Sequence, residues 1–143
     1  MNKKWMWVLY FISLSAMATE PSRYVSCFTA TGEHGNKINL MYVEVTYDKD
    51  QWDSSYVKYE KSNKAISLVP EYINERDDGT KSTELTMKWR ELIGTTYHGE
   101  YTSISQGVYI KEFSYKSDKG KVYKFNEDSR YYNSETNSCE WSK

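Results

Sequence analysis

Leu85-Thr86-Met87-Lys88-Trp89-Arg90 alternates apolar and polar side chains without a break. Successive side chains of a strand point to opposite faces, so Leu85, Met87 and Trp89 are expected in a core and Thr86, Lys88 and Arg90 in water. The same period of two recurs at Ile66-Ser67-Leu68, at the alternate positions Tyr109, Lys111, Phe113 and Tyr115, and at Tyr123-Lys124-Phe125. Residues 38–47 are less regular. Ile38, Leu40 and Tyr42 share one face while Met41, Val43, Val45 and Tyr47 share the other, which implies either a strand buried on both sides or a bulge near Leu40. Turn signals separate the runs: Thr31-Gly32-Glu33-His34-Gly35-Asn36, Asp77-Asp78-Gly79 within a polar loop expected over residues 70–82, and the hairpin turn Ser117-Asp118-Lys119-Gly120. About eight short strands at this spacing predict an all-β fold, a small antiparallel β-barrel or sandwich.

Composition agrees with that class. Of 14 tyrosines all but Tyr10 lie beyond residue 18, and flat rings suit a pleated surface better than a helix. No stretch after residue 18 shows sustained helical periodicity, an internal repeat or low complexity.

The N-terminus reads as a secretory signal. Asn2, Lys3 and Lys4 precede an apolar run over residues 5–14, and Ala16-Met17-Ala18 supplies the small residues a signal peptidase requires, with cleavage between Ala18 and Thr19. The apolar run is short of the roughly 20 residues that span a bilayer, and no later segment approaches that length. The expected organisation is a signal peptide at 1–18 and a single β domain at 19–143, periplasmic and free of the membrane after processing. Removal of the signal takes two lysines and no carboxylate, which leaves a net charge of −3. A mildly acidic exported domain is a poor match for nucleic acid, which demands a basic face. In the oxidising compartment Cys27 and Cys139, near the two ends of the domain, are expected to pair and close the barrel.

No catalytic constellation stands out. His34 and His98 lie far apart, so a metal site would need carboxylates from elsewhere. Asp48-Lys49-Asp50-Gln51-Trp52-Asp53 opens like a calcium loop but lacks glycine at its sixth position and has Tyr59 where the twelfth should be glutamate. There is no Gly-x-Ser-x-Gly elbow or phosphate-cradling loop, and pairing of the cysteines removes any thiol nucleophile. The chain is therefore expected to be a non-catalytic protein without cofactor or metal.

Tyr97-His98-Gly99-Glu100-Tyr101-Thr102-Ser103 is followed by Gly107-Val108-Tyr109-Ile110, Phe113-Ser114-Tyr115-Lys116 and Val122-Tyr123-Lys124, with Tyr24-Val25-Ser26-Cys27 before them and Cys139 after. In these elements the chain resembles the bacterial periplasmic and membrane-bound inhibitors of c-type lysozyme, small β-barrels whose Ser-Gly-x-x-Tyr loop and following lysine turn enter the lysozyme cleft. The resemblance implies that His98 and Gly99 stand at the Ser-Gly pair, with histidine replacing serine, that Tyr101 stands near the tyrosine, and that Lys116 or Lys119 supplies the lysine. Thr102 and Ser103 complete the implied partner-binding segment. An acidic muramidase cleft would accept a loop offering His or Lys for charge and Gly for close backbone approach. The chain is also similar in size and export to periplasmic immunity proteins against muramidase bacteriocins of the pesticin type. Two other classes stand beside this one: a β-barrel with tyrosines lining a cavity for a small amphipathic ligand, and a surface subunit that binds by strand addition. A cavity at the barrel centre would favour the ligand class. A filled core with a protruding loop over residues 97–103 would favour an inhibitor.

Overall fold

The computed structural model describes residues 21–48, 51–77, 79 and 82–142. The expected signal peptide and its cleavage site at Ala18 and Thr19 lie outside the described residues, as do the side chains at 49–53 of the calcium-like run. Eight strands, β1 (Ser22–Thr31), β2 (Lys37–Asp48), β3 (Gln51–Tyr59), β4 (Ile66–Arg76), β5 (Glu84–Ile93), β6 (Thr96–Gln106), β7 (Tyr109–Lys116) and β8 (Val122–Glu127), follow one another around a closed antiparallel barrel. The seam between β8 and β1 consists of two residue pairs, Phe28 with Glu127 and Thr29 with Asn126. A short 3-10 turn (Ser129–Tyr131) then leads to β9 (Tyr132–Asn133) and β10 (Ser138–Cys139), a two-stranded ribbon outside the barrel. The fold is all-β, as the alternation in β5 requires.

Inward positions fill the barrel. Phe28, Leu40, Tyr42, Val57, Leu68, Met87, Trp89, Tyr101, Phe113 and Phe125 form one buried cluster, and Trp89 is 1 % exposed. Phe113 lies at its centre, stacked on Phe28 at 4.4 Å and flanked by Tyr42 at 5.2 Å, Tyr101 at 5.7 Å and the edge of Phe125 at 6.1 Å. Offset and tilted rings of this kind add to the free energy of burial through their quadrupoles.

β2 is buried on both faces. Leu40 and Tyr42 enter the barrel, whereas Met41 and Val43 point outward and are buried nonetheless, outside the central cluster. The ladder shifts at Val45/Thr46 and Thr46/Asp48 rather than near Leu40, so double burial is the correct one of the two alternatives. The C-terminal segment covers this wall. Cys139 is bonded to Cys27 on the outer face of β1, Ser138 approaches the Met41 sulfur at 3.5 Å, and Trp141 packs on Tyr131 at 4.9 Å. β10 therefore pairs with β9, and the disulfide ties it to β1.

Two expectations need correction. Residues 70–76, read as loop, continue β4 in register with β5 around a bulge at Pro70/Tyr72. Pro70, Glu71 and Arg76 imitate a loop because β4 meets β3 only through Ile66, Ser67 and Leu68, which leaves its outer half as an exposed edge, where proline is tolerated. In β7 a shift at Ile104/Ser105 breaks the strict alternation. Phe113 and Tyr115 keep the inward face, but Tyr109 is exposed and Ile110 turns toward the barrel mouth instead.

Two stability measurements follow from this architecture. Trp89→Ala should lower the unfolding free energy by about 3 to 5 kcal/mol in urea titration, because the ring is enclosed and its cavity cannot collapse within a closed barrel. The Cys27–Cys139 bridge spans a sequence separation of 112 residues. Reduction should lower the unfolding free energy by about 2 to 5 kcal/mol, read as the difference between titrations with and without dithiothreitol.

Candidate functional site

The barrel has two unlike ends. At one end lie the β1–β2, β3–β4, β5–β6 and β7–β8 turns, and residues 32–37, 60–65, 93–96 and 116–121 there carry six lysines against the three carboxylates Glu33, Glu60 and Asp118. Those carboxylates are engaged. Glu33 pairs with Lys121, Glu60 accepts from Asn39 at 2.8 Å, and Asp118 meets His98 Nδ1 at 3.1 Å. Lys116 and Lys119 are exposed and, among the described residues, have no ion pair. They border a shallow depression of about 490 Å³ whose other walls include Arg90, Gly99, Glu100 and Asp118.

Strand geometry brings these residues together. β6 and β7 pair with Glu100 opposite Lys116, so the start of one strand and the end of the other share a rim. The β7–β8 turn is closed by Gly120 N–H donating to Ser117 O and Ser117 N–H donating to Lys121 O, both at 2.8 Å. Gly120 has φ 81°, a left-handed conformation that glycine adopts without strain. Lys119 thus sits at the tip of a tight turn.

Beneath this rim lies a buried polar network. Glu91 is 5 % exposed and points inward from β5 beyond Trp89. Tyr101 Oη donates to Glu91 Oε1 at 3.2 Å and Tyr115 Oη donates to Oε2 at 3.1 Å, while the Tyr59 and Tyr101 hydroxyls lie 2.6 Å apart. Burial raises the Glu91 pKa above the usual carboxylate range, against the opposing effect of the two tyrosine hydrogen bonds and of His98. Burial also pushes Tyr59 up to about 12, so its hydroxyl keeps its proton at neutral pH.

Of the residues implicated by sequence, His98, Gly99, Lys116 and Lys119 meet at this end, and the other three do not join them. The expected protruding loop over residues 97–103 is strand β6, and His98, expected in a loop, lies within it. The β5–β6 turn closes at Gly94, so residues 97–103 belong to the barrel wall. Tyr101 is fully buried and holds Glu91 instead of facing a partner. Thr102 is on the outer wall between Lys88 and Ser114, and Ser103 faces the barrel interior toward the opposite end. Gly99 has a different reason from the one expected. A Cβ there would lie 2.4 Å from the Tyr115 ring, so glycine makes room for the aromatic side chain that completes the Glu91 network. Sequence reasoning missed Glu91, and it placed Tyr115 on the alternating face without its hydrogen bond to that carboxylate. Continuing the alternation Leu85, Met87, Trp89 by one step would have placed Glu91 inside.

The opposite end is a mouth of about 600 Å³. Its walls include Tyr24, Leu85, Met87, Ile110 and Val108, with Ser103, Ser105 and Glu44 among them and Trp89 at its base. Among the described residues the barrel is therefore filled across its middle and opens at this end. Comparison with models of protein families, with characterised proteins and with solved structures finds no match.

Glu91 sets a pH dependence with a definite sign. The folded chain holds its proton to higher pH than the unfolded chain, so folding takes up protons in that interval and stability falls as pH rises from about 4 through the raised pKa. Glu44, whose pKa burial also raises, acts in the same direction. Urea titrations between pH 4 and 8 should show this decline, and Glu91→Gln should flatten it.

Proposed function

We propose that this protein is an exported, non-catalytic inhibitor that binds a peptidoglycan-cleaving muramidase through the lysine-rich end of its barrel, as a bacteriocin immunity protein or as a lysozyme inhibitor. One observation carries the reading: His98, Gly99, Lys116 and Lys119 converge on a rigid rim with an excess of positive charge, although the domain as a whole is acidic. A muramidase cleft concentrates carboxylates, and a rim of exposed cations meets it with opposite charge, which speeds encounter and fixes orientation. Rigidity adds to affinity because little side-chain or loop freedom is left to lose on binding. The wall beneath is held by the Glu91 network and the turn by its own hydrogen bonds. The substitution of His98 for the family's serine retains a hydrogen-bond donor, and Asp118 at 3.1 Å orients the ring.

A second reading, a small-ligand barrel, is supported by the mouth at the opposite end. The tyrosines do not line a central cavity; the barrel centre is packed, and among the described residues Tyr24, Tyr42 and Tyr132 border the mouth.

Calorimetric titration against a c-type lysozyme and against a bacteriocin muramidase tests the first reading. One of them should bind stoichiometrically. The triple variant His98→Ala, Lys116→Ala, Lys119→Ala should bind at least about tenfold more weakly, mostly through faster dissociation, with a nearly unchanged melting temperature because Lys116 and Lys119 are exposed and His98 is part-exposed in a surface ion pair. Absence of binding to either enzyme, or unchanged affinity in the variant, would overturn it.

A further inference from the structure

The barrel mouth holds a carboxylate that has no ion pair among the described residues. Glu44 lies on the inward face of β2, opposite Tyr24 on β1 and Ser55 on β3, and is half-buried on the wall of the 600 Å³ cavity. Among the described residues no hydrogen bond or ion pair reaches it. Arg23, a cation of the same lining, donates to Tyr56 Oη at 3.0 Å on the outer face. The second carboxylate of the lining, Glu127, adds negative charge to the same opening.

The remaining walls are apolar or weakly polar. Leu85, Met87 and Ile110 offer aliphatic and thioether surface, Tyr24 is 64 % exposed at the edge, and Ser103 and Ser105 supply hydroxyls along β6. Small-ligand sites have this composition and a volume of about 300 to 1,000 Å³, with a few polar groups that fix orientation. A half-desolvated carboxylate among aromatic and aliphatic walls selects for charge as well as shape. An anion would be repelled, and a neutral ligand would leave Glu44 without compensation.

We propose that this mouth binds a small amphipathic monocation, an ammonium carried on an aromatic or alkyl body, with the ammonium on Glu44 and the body against Leu85, Met87 and Ile110. The proposal rests on the small-ligand reading and gives it a ligand class. It is independent of the lysine-rich rim, which lies at the other end of the barrel.

Isothermal titration with three probes sharing one ring system separates the alternatives: naphthylethylammonium, naphthylethanol and naphthylacetate. The ammonium should bind about tenfold more tightly than the alcohol, and the acetate more weakly than both. Glu44→Gln should bring the ammonium down to the alcohol while the alcohol is unaffected, which also shows that the variant is folded. Ser105→Trp, which adds bulk from the β6 wall of the cavity, should abolish binding of both. Equal affinity for ammonium and alcohol would overturn the choice of a cation and leave the ligand reading standing. No binding by any probe would overturn both. A preference for ammonium that survives in Glu44→Gln would overturn the assignment to Glu44.

Discussion

The closed circle of eight strands imposes one constraint on everything else: the inward side chains must fill a space whose walls cannot approach further. In an open sheet an undersized residue can be compensated by a shift of the layer above it. Here neighbouring strands are joined by backbone hydrogen bonds and the circumference is set. Phe28, Tyr42, Trp89, Tyr101, Phe113 and Phe125 meet this demand. Where the rings run out, the interior takes two different forms. Toward the turns it becomes a satisfied polar network on Glu91. Toward the other end it is left as a water-accessible mouth.

The bulges follow from the same demand. Shifts at Pro70/Tyr72, Arg90/Leu92 and Ile104/Ser105 each place an extra residue on one strand of a pair and so alter which residues face inward. At β5 and β6 the shift lies beside Glu91 and opposite His98 and Gly99, so it contributes to the polar end of the barrel. The wall and the lysine-rich rim are therefore parts of one arrangement. Tyr115 illustrates this: its ring occupies the space that Gly99 vacates, and its hydroxyl reaches the carboxylate below.

Local alternation made most of the fold legible. Leu85, Met87 and Trp89 lie inside as their spacing requires, and both glycine turns that separate β1 from β2 and β7 from β8 are where the sequence puts them. Features that depend on distant segments were harder to read. The outer face of β2 is buried near a C-terminal ribbon almost one hundred residues away, and no local pattern distinguishes such burial from a bulge. The outer half of β4 has the composition of a loop because one of its edges has no strand beside it. At the lysine-rich end, four of the implicated residues meet because β6 and β7 are neighbours. Tyr101 and Ser103 share their segment but belong to the interior, since a strand sends alternate residues to opposite sides and a loop reading does not.

The seam between β1 and β8 has a consequence for when the protein acquires its shape. It joins the first strand to the last through two residue pairs, supplemented by Asp128 N–H donating to Cys27 O and by the Cys27–Cys139 bond. Contacts of such long sequence separation carry the largest loop-closure cost and form late. A chain synthesised in the order of its sequence can assemble its hairpins one after another, but it cannot complete the circle until residue 139 is free to reach β1. Oxidation of the cysteine pair then marks the last closure, made only once every strand of the wall is available.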